Sequence, residues 1–393
     1  MPPQQPGSQA APGPNTKGEW SVGRSVLIAA GAWGLAIFCA APSLFSFEHL
    51  QIINSRAGEF VQQCANPLTR AITGAPFLGY RVFVPTVAWL IGARLYVALA
   101  LPYVATLAML SVVCLVMSER HGRRMGTLAT MLVATSYAVT WPDCMLGYPD
   151  SVAHLLAVCL LITRRPWLIG AIVAAGMLTD ERFILELPFV FLWRYCEPIG
   201  GKGPWLRVAW RPVILGLGFC LVVRRALTIG WIGPGIAEPK TYGDMVANFL
   251  ALHPYNMSWA VWLANVLTSF RWTWIVIVMG VVARTRQRHG RELAIFVVVL
   301  AGSVAASMFV FDAARSVGFC YLAILLSFSW LIDAAPEGAR RLGKGAAWLS
   351  YLTPSLWFVP GYVIWLRPLP LRVFAYLTNQ DPLSWFHWLR NVH

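Results

Sequence analysis

The sequence predicts an all-α polytopic membrane protein with about eleven transmembrane helices, several of them short, plus an outer interfacial helix. Three observations carry that prediction. The 393 residues are 58% hydrophobic and only 12% charged, where a soluble domain is nearer a quarter charged. The apolar residues gather into repeated runs separated by short basic clusters. Those clusters fall after every second run, the pattern of alternating membrane crossings. The net charge of +14 is therefore a statement about topology and membrane lipids, and no nucleic-acid partner is expected.

In chain order, residues 1–24 open with "MPPQQPGSQAAPGPNTKGEW". This stretch is rich in Pro, Gly, Gln and Ala and lacks a basic start followed by an apolar segment. It reads as a disordered cytoplasmic tail rather than a cleaved signal. A single transmembrane domain is expected over residues 25–366. Its apolar runs are Ser25–Phe45, Leu95–Met117, Gly126–Trp141, Ser151–Ile162, Trp167–Thr179, Phe183–Trp193, Pro212–Val223, Ala260–Ala283, Leu293–Phe311, Ser316–Ile332 and Ala346–Trp365. The basic clusters lie at Ser118–Arg124, Thr163–Pro166, Arg194–Arg211, Arg284–Glu292 and Glu337–Lys344. With Lys17 and Arg24 they hold 18 of the 31 basic residues. The positive-inside rule puts all of them, and the N-terminus, in the cytoplasm. A multi-pass protein of the cell (inner) membrane follows, with two long outer loops at 46–94 and 224–259 and an outer, periplasmic C-terminal tail at 367–393. Within the first outer loop, Tyr80–Ile91 predicts an interfacial helix.

Four consecutive runs between Gly126 and Trp193 are too short to cross. At 1.5 Å per residue they span roughly 17–24 Å, against about 30 Å of hydrocarbon. Their outer connections, "WPDCMLGYPD" and "TDER", would sit recessed. Non-helical backbone at that depth is tolerated only inside protein or lining a wet cavity. An outward-facing polar pocket is the expectation, and ionisable residues there are functional candidates. These are Asp143 and Asp150 in the first connection, Asp180, Glu181 and Arg182 in the second, and Asp312 and Arg315 in "FDAARS". Asp150 and Asp180 also suit helix caps, and Asp312 with Arg315 suits a local i,i+3 pair. Arg81, Arg224 and Arg225 on the outer loops could meet an anionic headgroup. Glu48 and Glu59 in the first outer loop could each act as general base, with Asp150 behind them. A metal is neither required nor excluded by these residues. No Cys/His spacing suggests zinc.

No P-loop, GxGxxG, GxSxG or HExxH occurs, so nucleotide-driven transport, Rossmann chemistry and common hydrolase mechanisms have no support. Three stretches, "YRVFVP" at Tyr80–Pro85, "GYPDSVAHLLAVCLLITRRPWLIGAIVAAGMLTDERFILELP" at Gly147–Pro188 and "DAARSVGF" at Asp312–Phe319, resemble the GT-C superfamily of integral-membrane glycosyltransferases, in particular its bacterial polyprenyl-phosphate-sugar-dependent type. The resemblance spans most of the chain through loose motifs. It implies a multi-pass fold with an outward active site, a sugar on a polyprenyl phosphate as donor, and a lipid, glycan or protein acceptor. It also implies a carboxylate base in the first outer loop. Some members use a divalent metal (Mg or Mn) and some do not. Many members carry an acidic motif directly after the first helix; Glu48 and Glu59 are the acids available here. Two other classes remain open: a non-catalytic structural or assembly subunit of that fold, and a transporter of a lipid-linked or anionic substrate. The inner halves of the runs carry almost no ionisable residues and no inverted repeat is evident, which weighs against the transporter.

Overall fold

The computed structural model describes residues 21–40, 50–68, 79–92, 95–144, 147–196, 204–233, 247, 251, 258–310, 312–353, 355–359 and 362–366. Among the described residues, apart from one hairpin at 355–366, the regular structure is helical. The helices are α1 (Val22–Ala40), α2 (Leu50–Ala65), α3 (Phe83–Leu90), α4 (Leu95–His121), α5 (Arg123–Ala134), α6 (Tyr137–Cys144), α7 (Asp150–Ile162), α8 (Pro166–Thr179), α9 (Leu187–Tyr195), α10 (Pro204–Thr228), α11 (Trp259–Phe270), α12 (Thr273–Arg286), α13 (Gly290–Ala306), α14 (Ala313–Gly318), α15 (Leu322–Ala334) and α16 (Pro336–Leu352). A 3-10 turn at Glu181–Leu185 links α8 to α9.

Among the described residues, three helical stretches, Val22–Cys39, Ala98–His121 and Gly290–Phe309, are long and apolar enough to cross a membrane. A fourth exists if the bent pair α11–α12 is one span. At the centre lies α15, whose residues from Leu322 to Ile332 are all buried. A helix apolar all round belongs inside. The periphery is also apolar: on α10, Ile214, Leu215, Phe219, Leu221 and Val222 are exposed, as are Leu263 and Leu267 on α11 and Val297 and Val298 on α13. Apolar surface on several outer helices, together with spanning-length segments, describes a helical membrane protein.

Several runs are divided differently from their sequence reading. Gly126–Trp141 breaks into α5 and α6, because the Thr135 and Ser136 hydroxyls donate back to Leu132 O and Val133 O at 2.9 and 2.7 Å. Such bonds compete with the helical ladder. Ala260–Ala283 bends by 81° between α11 and α12. Arg271 sits at the bend with φ 50°, and its guanidinium donates to Ser350 O at 2.9 Å. Ser316–Ile332 divides between α14 and α15. Pro212–Val223 is the middle of the longer α10, so Arg224 and Arg225 are still helical rather than in a loop. The stretch expected as an eleventh helix, Ala346–Trp365, is the second half of α16 followed by a hairpin of β1 (Ser355–Val359) and β2 (Tyr362–Leu366). The strands are antiparallel, with Val359 opposite Tyr362. The expected helix in Tyr80–Ile91 is present as α3 and packs its Val84 and Ala88 against Phe60 and Cys64 of α2.

The basic clusters converge on one end of the bundle. Arg120 stacks 4.8 Å above the Trp193 ring. His121 Nε2 lies 2.8 Å from Ser329 Oγ. Arg194 donates to Leu160 O and Thr163 O at 3.0 and 2.8 Å, satisfying carbonyls that the end of α7 leaves open. Arg284 lies over the Trp330 ring and pairs with Glu292. The opposite ends of α7, α8 and α10 carry a different chemistry.

A buried arginine–carboxylate cluster as the candidate site

Asp180 stands between α8 and the 3-10 turn in an extended conformation (φ −155°, ψ 133°). Its side chain accepts from the Arg182 backbone N–H at 3.0 Å, which starts the turn. Gly176 on α8 makes room for the turn, because a Cβ there would lie 2.6 Å from the Phe183 ring. Asp150 is the first residue of α7, following Gly147 (φ +88°) and Pro149. It does not cap its helix. Its carboxylate turns to Arg315 of α14.

The side chains converge as follows. Arg315 grips Asp150 in a bidentate fork, with Nη2 2.5 Å from Oδ1 and Nε on Oδ2. It also reaches Asp180 at 3.3 Å and Asp312 at 3.4 Å. The Tyr148 and Trp141 rings face its guanidinium at 4.2 and 6.0 Å. Arg182 forks Asp180 at 2.9 and 2.8 Å and lies 5.2 Å above the Phe319 ring. Arg81, just before α3, reaches Asp180 at 2.8 Å and Glu181 at 2.6 Å. Arg224 of α10 reaches Glu181 at 3.2 Å over the Tyr80 ring. Four guanidiniums thus meet four carboxylates across five separate segments. Buried charge demands such pairing, since an unpaired ion costs several kcal/mol, of the order set by desolvation.

The cluster is closed on one side and open on the other. Side-chain exposure is 0–3% at Asp180, Asp150, Arg81 and Arg315, and rises to 12% at Arg182, 20% at Asp312, 21% at Arg224 and 38% at Glu181. Arg225 is exposed one residue beyond Arg224. Arg81, Arg182 and Arg315 are each held by at least two ionic contacts. Among the described residues, Arg224 makes a single ion pair, with Glu181. Arg224 and Arg225 are thus the more exposed cations at this end, while Arg182 and Arg315 brace the acids.

Asp143 is not part of this network. It is buried on α6, where Trp33 Nε1 donates to its Oδ2 at 2.6 Å and Tyr103 Oη donates to its carbonyl at 3.4 Å. It ties α1 and α4 to α6 rather than forming a turn. Glu59 lies on α2, half-buried, one turn before Gln63. Residues at i and i+4 share a helix face, and Gln63 Nε2 donates to Arg81 O at 3.5 Å. Glu59 therefore lies on the α2 face turned toward the Arg81 segment. Glu48 and the C-terminal tail lie outside the described residues. Beneath the cluster is a pair the sequence reading did not single out: His154 Nδ1 lies 2.5 Å from Glu186 Oε1, both buried. No spacing rule links residues 32 apart; the sequence signal was one ionisable residue in each of two apolar runs.

Among the described residues, no three His, Cys, Asp or Glu side chains are arranged to hold a metal ion. The acids of the cluster are turned toward arginines instead. Compared with family models, curated proteins and solved structures, the chain matches none.

Proposed function

We propose that the protein is a membrane glycosyltransferase that moves a sugar from a polyprenyl phosphate to a lipid, glycan or protein hydroxyl on the outer face. The observation that carries this reading is the charge cluster at the ends of α7 and α8, open at Glu181, Arg224 and Asp312 and opposite the basic end; the short runs place it at headgroup depth in this proposal. A donor whose tail stays in the bilayer presents its phosphate at that depth. In the proposed step, a carboxylate takes the acceptor hydroxyl proton and the oxygen attacks the anomeric carbon. The bond from that carbon to the phosphate oxygen breaks, and its electron pair stays on the departing polyprenyl phosphate. Arg224 and Arg225 stabilise that charge in a site of low dielectric. Glu59 or Glu48 is the base. Asp150, with both oxygens held by Arg315, is better suited to positioning Arg315 than to accepting a proton. The finer topology, about eleven crossings with a cytoplasmic N-terminus, belongs to the same proposal.

The test is transfer from radiolabelled polyprenyl-phosphate hexose and pentose donors by purified protein in bilayers. Either Glu59→Gln or Glu48→Gln should cut the rate by roughly 10²–10⁴, the usual worth of a general base, with folded yield unchanged. If neither variant nor Asp150→Asn slows transfer, the catalytic assignment fails. A second reading, a non-catalytic subunit of the same fold, is favoured by one observation: the cluster is formally neutral. Such a subunit would transfer no sugar and would co-purify stoichiometrically with a larger complex.

A further inference from the structure

A second charged site lies at the basic end. A groove of about 390 Å³ between α5 and α16 is lined by Arg123, Arg124, Thr127, Leu128, Arg340 and Lys344. Four of its six lining residues are cations. Of these, Arg340 forks Glu337 at 2.9 and 2.6 Å. Arg124 and Lys344 have no ion pair or hydrogen-bond partner among the described residues. A protein that leaves adjacent cations unneutralised around a concave surface favours an anion there.

The face of α16 beside the groove narrows the choice of anion. Lys344, Trp348 and Leu352 follow one another at i, i+4 and i+8 and are all exposed, Trp348 by 45% and Leu352 by 76%. The stripe therefore runs from cation to aromatic to aliphatic, away from the groove. Tryptophan favours the boundary between headgroups and acyl chains, and basic residues favour anionic headgroups just outside it. A free phosphate would use the cations and leave the stripe without a role. A lipid would use both.

We infer that this groove binds the phosphodiester headgroup of an anionic phospholipid from the cytoplasmic leaflet, with an acyl chain along Trp348 and Leu352. The inference uses the membrane placement of the proposed function but not its chemistry.

The experiment reads lipid, not sugar. Purified protein in phosphatidylcholine nanodiscs is titrated with phosphatidylglycerol, and retained lipid is counted by native mass spectrometry after release from the disc. Wild type should keep phosphatidylglycerol over phosphatidylcholine, and Arg124→Gln/Lys344→Gln should lose about tenfold in retention. Trp348→Ala should weaken it too, and millimolar inorganic phosphate should leave it unchanged. Equal retention of the two lipids, or full retention by the double variant, would overturn the inference. Displacement by inorganic phosphate would make the groove a free-phosphate site and would equally overturn it. Arg124 and Lys344 are exposed, so the double variant should fold. Sugar transfer, measured in parallel, can fail without affecting this readout.

Discussion

At the residue scale, the central contact is Arg315 with Asp150, 165 positions apart in the chain. Removing one partner of a buried pair leaves the other charged and unpaired, at a cost of about 3–5 kcal/mol. Arg315→Met or Asp150→Leu alone should therefore destabilise the protein by that amount in chemical unfolding in detergent. Arg315→Met combined with Asp150→Leu should recover part of it, and additive losses would show that the pair is not coupled. Glu181 is the contrast. At 38% side-chain exposure it keeps contact with solvent, and Arg81 retains Asp180 without it, so Glu181→Gln should cost less than either of those substitutions. This is also where sequence reading reached its limit. The Asp312–Arg315 spacing was legible because i,i+3 neighbours share a helix face. Asp150 was visible as an ionisable residue in a recessed turn, but nothing in a linear spacing names a partner on another helix. Chain order offered Arg81, Arg182, Arg224, Arg225 and Arg315 alike as headgroup candidates; the structure shows Arg182 and Arg315 engaged with buried acids and Arg224 and Arg225 more exposed.

At the element scale, the short helices were legible from run length alone: α7 has 13 residues and α8 has 14. The breaks were not, because they depend on hydroxyls folding back on carbonyls at Thr135 and Ser136 and on a tertiary bond from Arg271 to Ser350 O. The hairpin had a local signal. Pro354, then Pro360–Gly361, punctuate two runs rich in aromatic and β-branched residues, "SLWFV" and "YVIWL", and such a Pro-Gly step marks a turn. Hydropathy outweighed it because a membrane span and an apolar hairpin share composition. Packing between elements supplies a second prediction. A Cβ on Gly280 of α12 would lie 2.4 Å from Ser327 O on the buried α15. Backbone cannot yield as a flexible side chain does, so Gly280→Ala should destabilise by about 1–3 kcal/mol, seen as a lower thermal midpoint in detergent. An unchanged midpoint would mean that α12 and α15 are not so closely packed.

At the scale of the whole molecule, charge is sorted by end. The basic clusters, far apart in sequence, meet through Arg120, His121, Arg194 and Arg284. The carboxylates Asp150, Asp180 and Glu181 gather at the far ends of the same helices. The segregation was readable in the sequence because it follows from a period, one cluster after every second run. If the basic end is cytoplasmic, the far end of α10 is outside: alkaline phosphatase inserted after the exposed Trp231 should be active and a fluorescent protein inserted there dark. The reverse pattern would invert the orientation and remove the outer face from the proposed chemistry.

The most direct measurement of the central claim is the binding of a short-chain polyprenyl phosphate to purified protein in nanodiscs. The account predicts saturable binding that weakens at least tenfold in Arg224→Gln/Arg225→Gln, with a neutral polyprenol of the same length binding far more weakly than the phosphate. Binding that is absent, or equal for alcohol and phosphate, or unchanged in that double variant, would contradict it.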